Sequence, residues 1–245
     1  NDSPRSDRVL ALAAHLARSH GAELTALHAV EPLRSGAFIS AEAASVAASW
    51  ATEAEAQRWA EATARVAATA AAAGLPIPLV ALRGETVSDT LRHAASADLV
   101  VLSQRNPGVA DGAQRHYVER LLVGTATPLL FVPHVDTLPL HDDGAPRCAQ
   151  RVLVAWSASR ESARALRDAM PLLTRADRVE LIRFVPAGES DPEPLDAVVG
   201  WLRRHGVTAS STVRHAPSPS LGERLLSTWT VDVPIAEALL SHAAD

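Results

Sequence analysis

Lysine does not occur in this 245-residue sequence, so all 23 basic side chains are arginine. That absence excludes a Walker-type phosphate lysine, a Schiff-base lysine and pyridoxal chemistry, each of which needs a primary amine. A single cysteine, Cys148, excludes an internal disulfide and a thiolate-rich zinc site, and it makes a reducing, cytoplasmic setting the default. Asparagine is confined to Asn1 and Asn106, while alanine fills about a fifth of the chain. Together with the missing lysine, this bias reads as GC-rich coding. No apolar run approaches the roughly eighteen residues that span a bilayer, and residues 1–8 are polar where a signal peptide is apolar, so no membrane partner is expected. The 23 basic and 28 acidic residues are interleaved and sum to −5. No basic stripe is left to track a phosphate backbone, and nucleic acid is not an expected partner. Also missing are a G-x-S-x-G elbow, an H-E-x-x-H pair and a G-x-G-x-x-G turn after a strand, so no residue set is left to make the chain an enzyme of those classes.

What is present is a regular alternation. Residues 5–19 space apolar side chains at three and four, as an amphipathic helix does, and Gly21 ends it. Residues 23–30 read as a buried strand and 41–73 as a long alanine-rich helix stopped at Gly74. Then come a strand at 77–82, a short helix at 87–95 and an apolar strand at 99–102. After a polar loop over 103–114, a helix near 116–123 leads to a strand at 128–132. Residues 134–150, rich in proline and polar groups, read as a linker. Beyond it the pattern restarts: strand 152–156, helix 159–174, strand 179–185, helix 192–205, strand 207–213 and helix 234–244. Strands alternating with helices imply an α/β fold with parallel sheets covered on both faces.

The restart is an internal repeat. Ser3, Ser6, Arg8, Leu10 and Ala13 fall at a constant offset on Ser159, Ser162, Arg164, Leu166 and Ala169. After a one-residue slip, residues 24–30 lie over 179–185; Gly74 matches Gly206, and TLRHAASAD (90–98) resembles ALLSHAAD (238–245). Two units are therefore expected, 1–133 and 151–245, both incomplete. The first lacks a counterpart of strand 152–156. The second stops before the strand, loop, helix and strand that continue the first.

The segments VLVAWSASRESARALRDAMPLL (152–173), RVELIRFV (178–185), SADLVVLSQR (96–105) and ATPLLFVP (126–133) resemble the universal stress protein family in its tandem two-domain bacterial form. The resemblance implies two tandem copies of a parallel five-stranded open sheet of the adenine nucleotide alpha hydrolase-like, Rossmann-like type. It also implies a homodimer, or a pseudo-dimer of the two halves through an edge strand such as 128–132, a stress-response role with a protein partner, and in some members ATP binding.

Nucleotide-binding members carry Asp-Gly-Ser after the first strand; here the second copy has Ser157-Ala158-Ser159 and the first Asn1-Asp2-Ser3. They also carry G-x-x-G and, some nine residues on, Gly-Ser, because bare backbone N–H groups must close around a triphosphate. In this chain Ser103 and Asn106 replace the first pair, and the later pair falls at Arg115-His116. Gly108 and Gly112 lie in the same loop at the wrong spacing. A degenerate site of Asn1, Asp2, Ser3, Ala29, Ser103, Asn106, Arg115, His116, Ser157 and Ser159 follows, with no cofactor expected and ATP or AMP as the alternative.

The remaining constellations carry bland readings. His134 and His141 lie with Asp136, Asp142 and Asp143 in the linker, where no fixed spacing presents them as metal ligands. His28, within a strand, reads as a satisfied buried polar group. Trp50 and Trp59 are placed on roughly the same face of the long helix, packing in a core or an interface.

Overall fold

A computed structural model describes residues 4–29, 41–83, 85–104, 112–133, 140, 146–185, 195–215 and 233–244. The chain divides into two compact units, Asn1–Cys148 and Ala149–Asp245.

In the first unit, α1 (Pro4–His20) leads to β1 (Ala26–Ala29), and α2 (Ala41–Ala73) to β2 (Leu79–Leu82). The helix α3 (Thr86–Ala94) precedes β3 (Val100–Ser103), and α4 (Gly112–Gly124) precedes β4 (Leu129–Val132). β1 pairs with β2 and β3 with β4, both parallel. Glycine ends α1 and α2 for a geometric reason: Gly21 and Gly74 sit at φ +61° and +65°, a left-handed turn open to a residue without Cβ. Beyond each glycine the chain folds back, Ala22 N–H onto Ala17 O at 2.8 Å and Leu75 N–H onto Ala70 O at 3.2 Å, satisfying carbonyls that the helix leaves open. One core of this unit joins Ala14, Val66 and Ile77, with Leu10, Leu24, Ala26, Ala70 and Leu79 packed around them.

In the second unit, β5 (Arg151–Ala155), β6 (Arg178–Val185) and β7 (Ala209–His215) form a three-stranded parallel sheet in the order β5-β6-β7. The helices are α5 (Arg160–Asp168), α6 (Met170–Leu173), α7 (Asp196–Arg204) and α8 (Val233–Ala244). Val179 and Leu181 on one face of β6 pack with Leu166, Leu173, Leu195, Leu202 and Val207, all 4% exposed or less. Gly206, at φ +78°, ends α7 with the same turn, Val207 N–H onto Leu202 O at 3.0 Å.

The α/β character stands, and the strands are parallel throughout the named sheets. The described strands, four in the first unit and three in the second as read from the sequence, form sheets of two, two and three, and the five-stranded sheet that the resemblance implies for each copy is not formed by them. In the first unit, no described strand lies between β1 and β3 in the hydrogen-bonded order. The register agrees with the sequence offsets: Ala26 pairs with Leu79 in the first unit, and Leu181 with Ser211 in the second. The shift that carries Leu24 to Val179 carries Ala26 to Leu181, and the shift from Gly74 to Gly206 carries Leu79 to Ser211.

Several local expectations are corrected. The helix expected over 159–174 is two, because Pro171 has no N–H for Arg167 O and its ring crowds that carbonyl; α5 ends at Asp168, and α6 is a single turn. The helix near 116–123 begins at Gly112, so the loop before it is shorter than expected. Within the stretch expected as linker, Leu140 and Pro146 form an isolated antiparallel bridge. Trp50 and Trp59 do not share a face: nine residues at about 100° each leave them half a turn apart. Accordingly Trp50 is 70% exposed, and Trp59 lies edge-on to His28 at 5.7 Å between ring centres.

Candidate functional site

In parallel α/β sheets, ligands bind beyond the carboxyl ends of the strands. Three sequence-expected residues stand there. Ala29 is the exposed last residue of β1, Ser103 ends β3, and Ser157 follows β5 closely. Asn1, Asp2, Ser3 and Asn106 lie outside the described residues, as do His134 and His141 of the linker.

Ser103 is half-buried, and its hydroxyl donates to the carbonyl of its neighbour Gln104 at 3.2 Å. The strand end is anchored next to it, Gln104 N–H donating to Val132 O of β4 at 2.7 Å. Arg115 falls in the first turn of α4 and is exposed there with His116. Its Nε donates to Glu119 Oε1 one turn on, at 2.7 Å. That contact raises the guanidinium's already high proton affinity. The described contacts of Ser103 and Arg115 are thus with Gln104 and Glu119, and not with each other.

In the second unit, Ser157 Oγ donates to Ser159 Oγ at 3.0 Å. Ser159 is the N-cap of α5, accepting Ser162 N–H at 3.1 Å. This is what a serine does when a helix begins just after it, because the first N–H groups have no partner within the helix. Between the two serines, Ala158 holds φ +56°, so the left-handed turn is present without a glycine. Glu161, in the first turn of α5, has its carboxyl below the usual range, chiefly through its own backbone N–H. The N–H groups of Glu161, Ser162 and Ala163 at the start of α5 are therefore taken up by the chain's own oxygens.

Two polar clusters escaped the sequence reading. His28 on β1 was expected to be satisfied; instead its buried Nε2 has no hydrogen bond and lies 3.6 Å from Glu55 Oε1 of α2. Glu55 also faces Arg58 at 3.3 Å, and Arg58 Nε is likewise buried without a hydrogen bond. In the second unit, Glu180 Oε1 accepts Thr212 Oγ1 at 2.6 Å and lies 3.0 Å from His242 Nε2. These bonds hold the Glu180 carboxyl below its usual range, Thr212 first and His242 second. An acid in the middle of the strand RVELIRFV was the available signal, but its partners lie far along the chain. Among the described residues, no group of three or more His, Cys, Asp or Glu is placed to hold a metal ion, and no helix is long and apolar enough to cross a membrane.

Parallel strands with helices between them, and serines at the strand ends, define an α/β protein of Rossmann-like class. The model of the universal stress protein family matches residues 1–127, more than half of the chain, and the chain belongs to that family. A crystal structure of a universal stress protein from Archaeoglobus fulgidus DSM 4304 superposes with a TM-score of 0.65 at 17% identity, over 88% of this chain and 74% of that one. At that identity the likeness shows the fold. An N-acetyl-L-ornithine transcarbamylase aligns over 97% of this chain and 78% of its own at 14% identity, but its TM-score of 0.21 carries no argument. No curated protein matches the chain.

Proposed function

We propose that the chain is a stress-response module of tandem form that works through dimerisation and partner contact, without the ATP binding of other family members. Each unit, 1–133 and 151–245, is read as a copy of the five-stranded sheet, joined by 134–150. The related registers of β1–β2 and β6–β7 support that reading.

The observation that carries it is at the end of β3. Ser103 and its hydroxyl stand where a phosphate cradle needs bare backbone. Arg115, the cation best placed in sequence to receive an anion, is turned along its own helix to Glu119. A further support is the start of α5, whose cap is filled by Ser159 and whose first turn holds Glu161.

Titration calorimetry of the full chain with ATP and with AMP tests the absence of a nucleotide. Binding weaker than millimolar is expected; sub-millimolar affinity for either would overturn this reading in favour of a nucleotide-binding sensor with an altered loop over 103–116. Native mass spectrometry and sedimentation at micromolar concentration test the assembly. A homodimer is expected, or a monomer in which the two halves pair as a pseudo-dimer. Crosslinks between equivalent edge-strand positions, 128–132, would have to be found between copies in the first case; their absence together with a monomer lacking any contact between the halves would sink it.

A further inference from the structure

We propose that α8 is a latched strap on the second unit, held to the sheet by the His242–Glu180 hydrogen bond and able to open while the sheet stays folded. The two faces of the sheet are unequal. Val179 and Leu181 on one face belong to the buried core with α5, α6 and α7. Side chains alternate across a strand, so Glu180, Ile182 and Phe184 share the other face, and Thr212 and Arg214 lie beside Ile182 and Phe184 in register. A parallel sheet is ordinarily apolar on both faces. Here the second face carries a carboxylate, a hydroxyl and a guanidinium.

α8 answers that polarity with one side chain. His242 Nε2 is 3.0 Å from Glu180 Oε1, and His242 Nδ1 is 3.5 Å from Arg214 Nη2. A guanidinium has no acceptor, so Nδ1 accepts, Nε2 carries the proton, and the imidazole donates to Glu180. Thr212 fixes the same carboxylate oxygen at 2.6 Å, and Arg178 stands 3.8 Å from the other. The latch is set: His242 and Glu180 side chains are only 20% and 18% exposed.

The rest of α8 holds on weakly. Among the described residues, no residue of α8 is in the buried core, and Leu240 is 73% exposed. Local segments with few buried apolar contacts open at a lower free energy than the core beneath them.

The repeat shows that the fold does not require this latch. The shift that places Leu24 on Val179 puts Thr25 at the position of Glu180, and the one that places Gly74 on Gly206 puts Val80 at that of Thr212. His93, the histidine of the matching TLRHAASAD stretch, is exposed. The acid, the hydroxyl and the sheltered imidazole occur together only in the second copy.

Hydrogen–deuterium exchange on the full chain tests this with His242→Ala, Glu180→Ala and the double variant. Loss of a hydrogen bond to a charged group speeds opening by about tenfold or more. Amides of 235–244 are expected to exchange about tenfold faster in each single variant and no faster in the double one, while amides of 178–185 keep the wild-type rate. Unchanged exchange in 235–244 would overturn the proposal, as would equal acceleration in 178–185, which would make α8 part of the cooperative core. Should a variant fail to fold, the wild type decides: α8 must exchange faster than β6 and with little dependence on denaturant, and a shared, denaturant-dependent rate would refute the strap.

Discussion

The hydroxyl of Tyr117 on α4 donates to the hydroxyl of Thr90 on α3 at 3.1 Å. The direction follows from a second bond, in which Thr90 spends its one proton on Thr86 O at 2.7 Å. Thr90 is 2% exposed, so the pair ties α4 to α3 from inside the first unit. Beside it, Arg120 of α4 reaches Glu85 at the N-cap of α3 at 2.6 Å, and Thr127 Oγ1 donates to Ala94 O at 2.6 Å. Burial raises the Tyr117 phenol above its ordinary value.

The two hydroxyls predict unequal costs. Tyr117→Phe removes a donor and leaves Thr90 with its bond to Thr86, for a loss of about 1 kcal/mol. Thr90→Val leaves the Tyr117 hydroxyl without its acceptor and costs about 1–3 kcal/mol. Urea unfolding followed by near-ultraviolet absorbance checks the order, and a Tyr117→Phe variant less stable than Thr90→Val would contradict it.

Ser157 and Ser159 are both candidates for a ligand site by sequence, yet only Ser159 caps a helix. Ser159→Ala is expected to lower stability by about 1 kcal/mol, because Ser162 N–H loses its acceptor. Ser157→Ala, which removes an exposed donor to Ser159, is expected to fall within about 0.5 kcal/mol of wild type. Thermal melts of the two variants separate a cap from a pair of equivalent serines; equal losses would show that the cap is not what Ser159 contributes.

Ala158 pays for a left-handed turn at φ +56°, which costs a residue with Cβ about 1–2 kcal/mol. Glycine removes that strain but loosens the unfolded chain by about 0.4–1 kcal/mol. Ala158→Gly is therefore expected to gain about 0.5 kcal/mol, a rise in melting temperature of about 1–2 °C. A fall in melting temperature would show that the turn is unstrained.

Local chemistry explains how much of this was legible. The bounds of α2 could be read because an alanine-rich run meets Gly74, and the turn there needs φ +65°. Ser159 could be matched to Ser3 by the repeat, and its cap follows from its place before a helix. The split between α5 and α6 was also written in the chain, at Pro171, but the apolar spacing around it concealed the break. By contrast, the Glu180–His242 pair joins residues 62 apart and exists only once β6 and α8 are placed. His28 failed differently: its apolar neighbours implied burial correctly, but no local pattern reveals that Nε2 stops 3.6 Å short of Glu55.

Glu180 makes stability depend on acid. Its carboxyl is lowered in the folded chain by Thr212 and His242, while in the unfolded chain it takes an ordinary value of about 4.3. A group lowered in this way contributes stability in full above the unfolded value, and the contribution is lost as pH falls through the folded one. Glu180→Gln keeps the shape and removes the titration. Wild type should therefore lose more stability than the variant between about pH 5 and pH 3. Parallel stability curves for wild type and variant from pH 7 down to pH 3 would show that the Glu180 contacts place no demand on its charge.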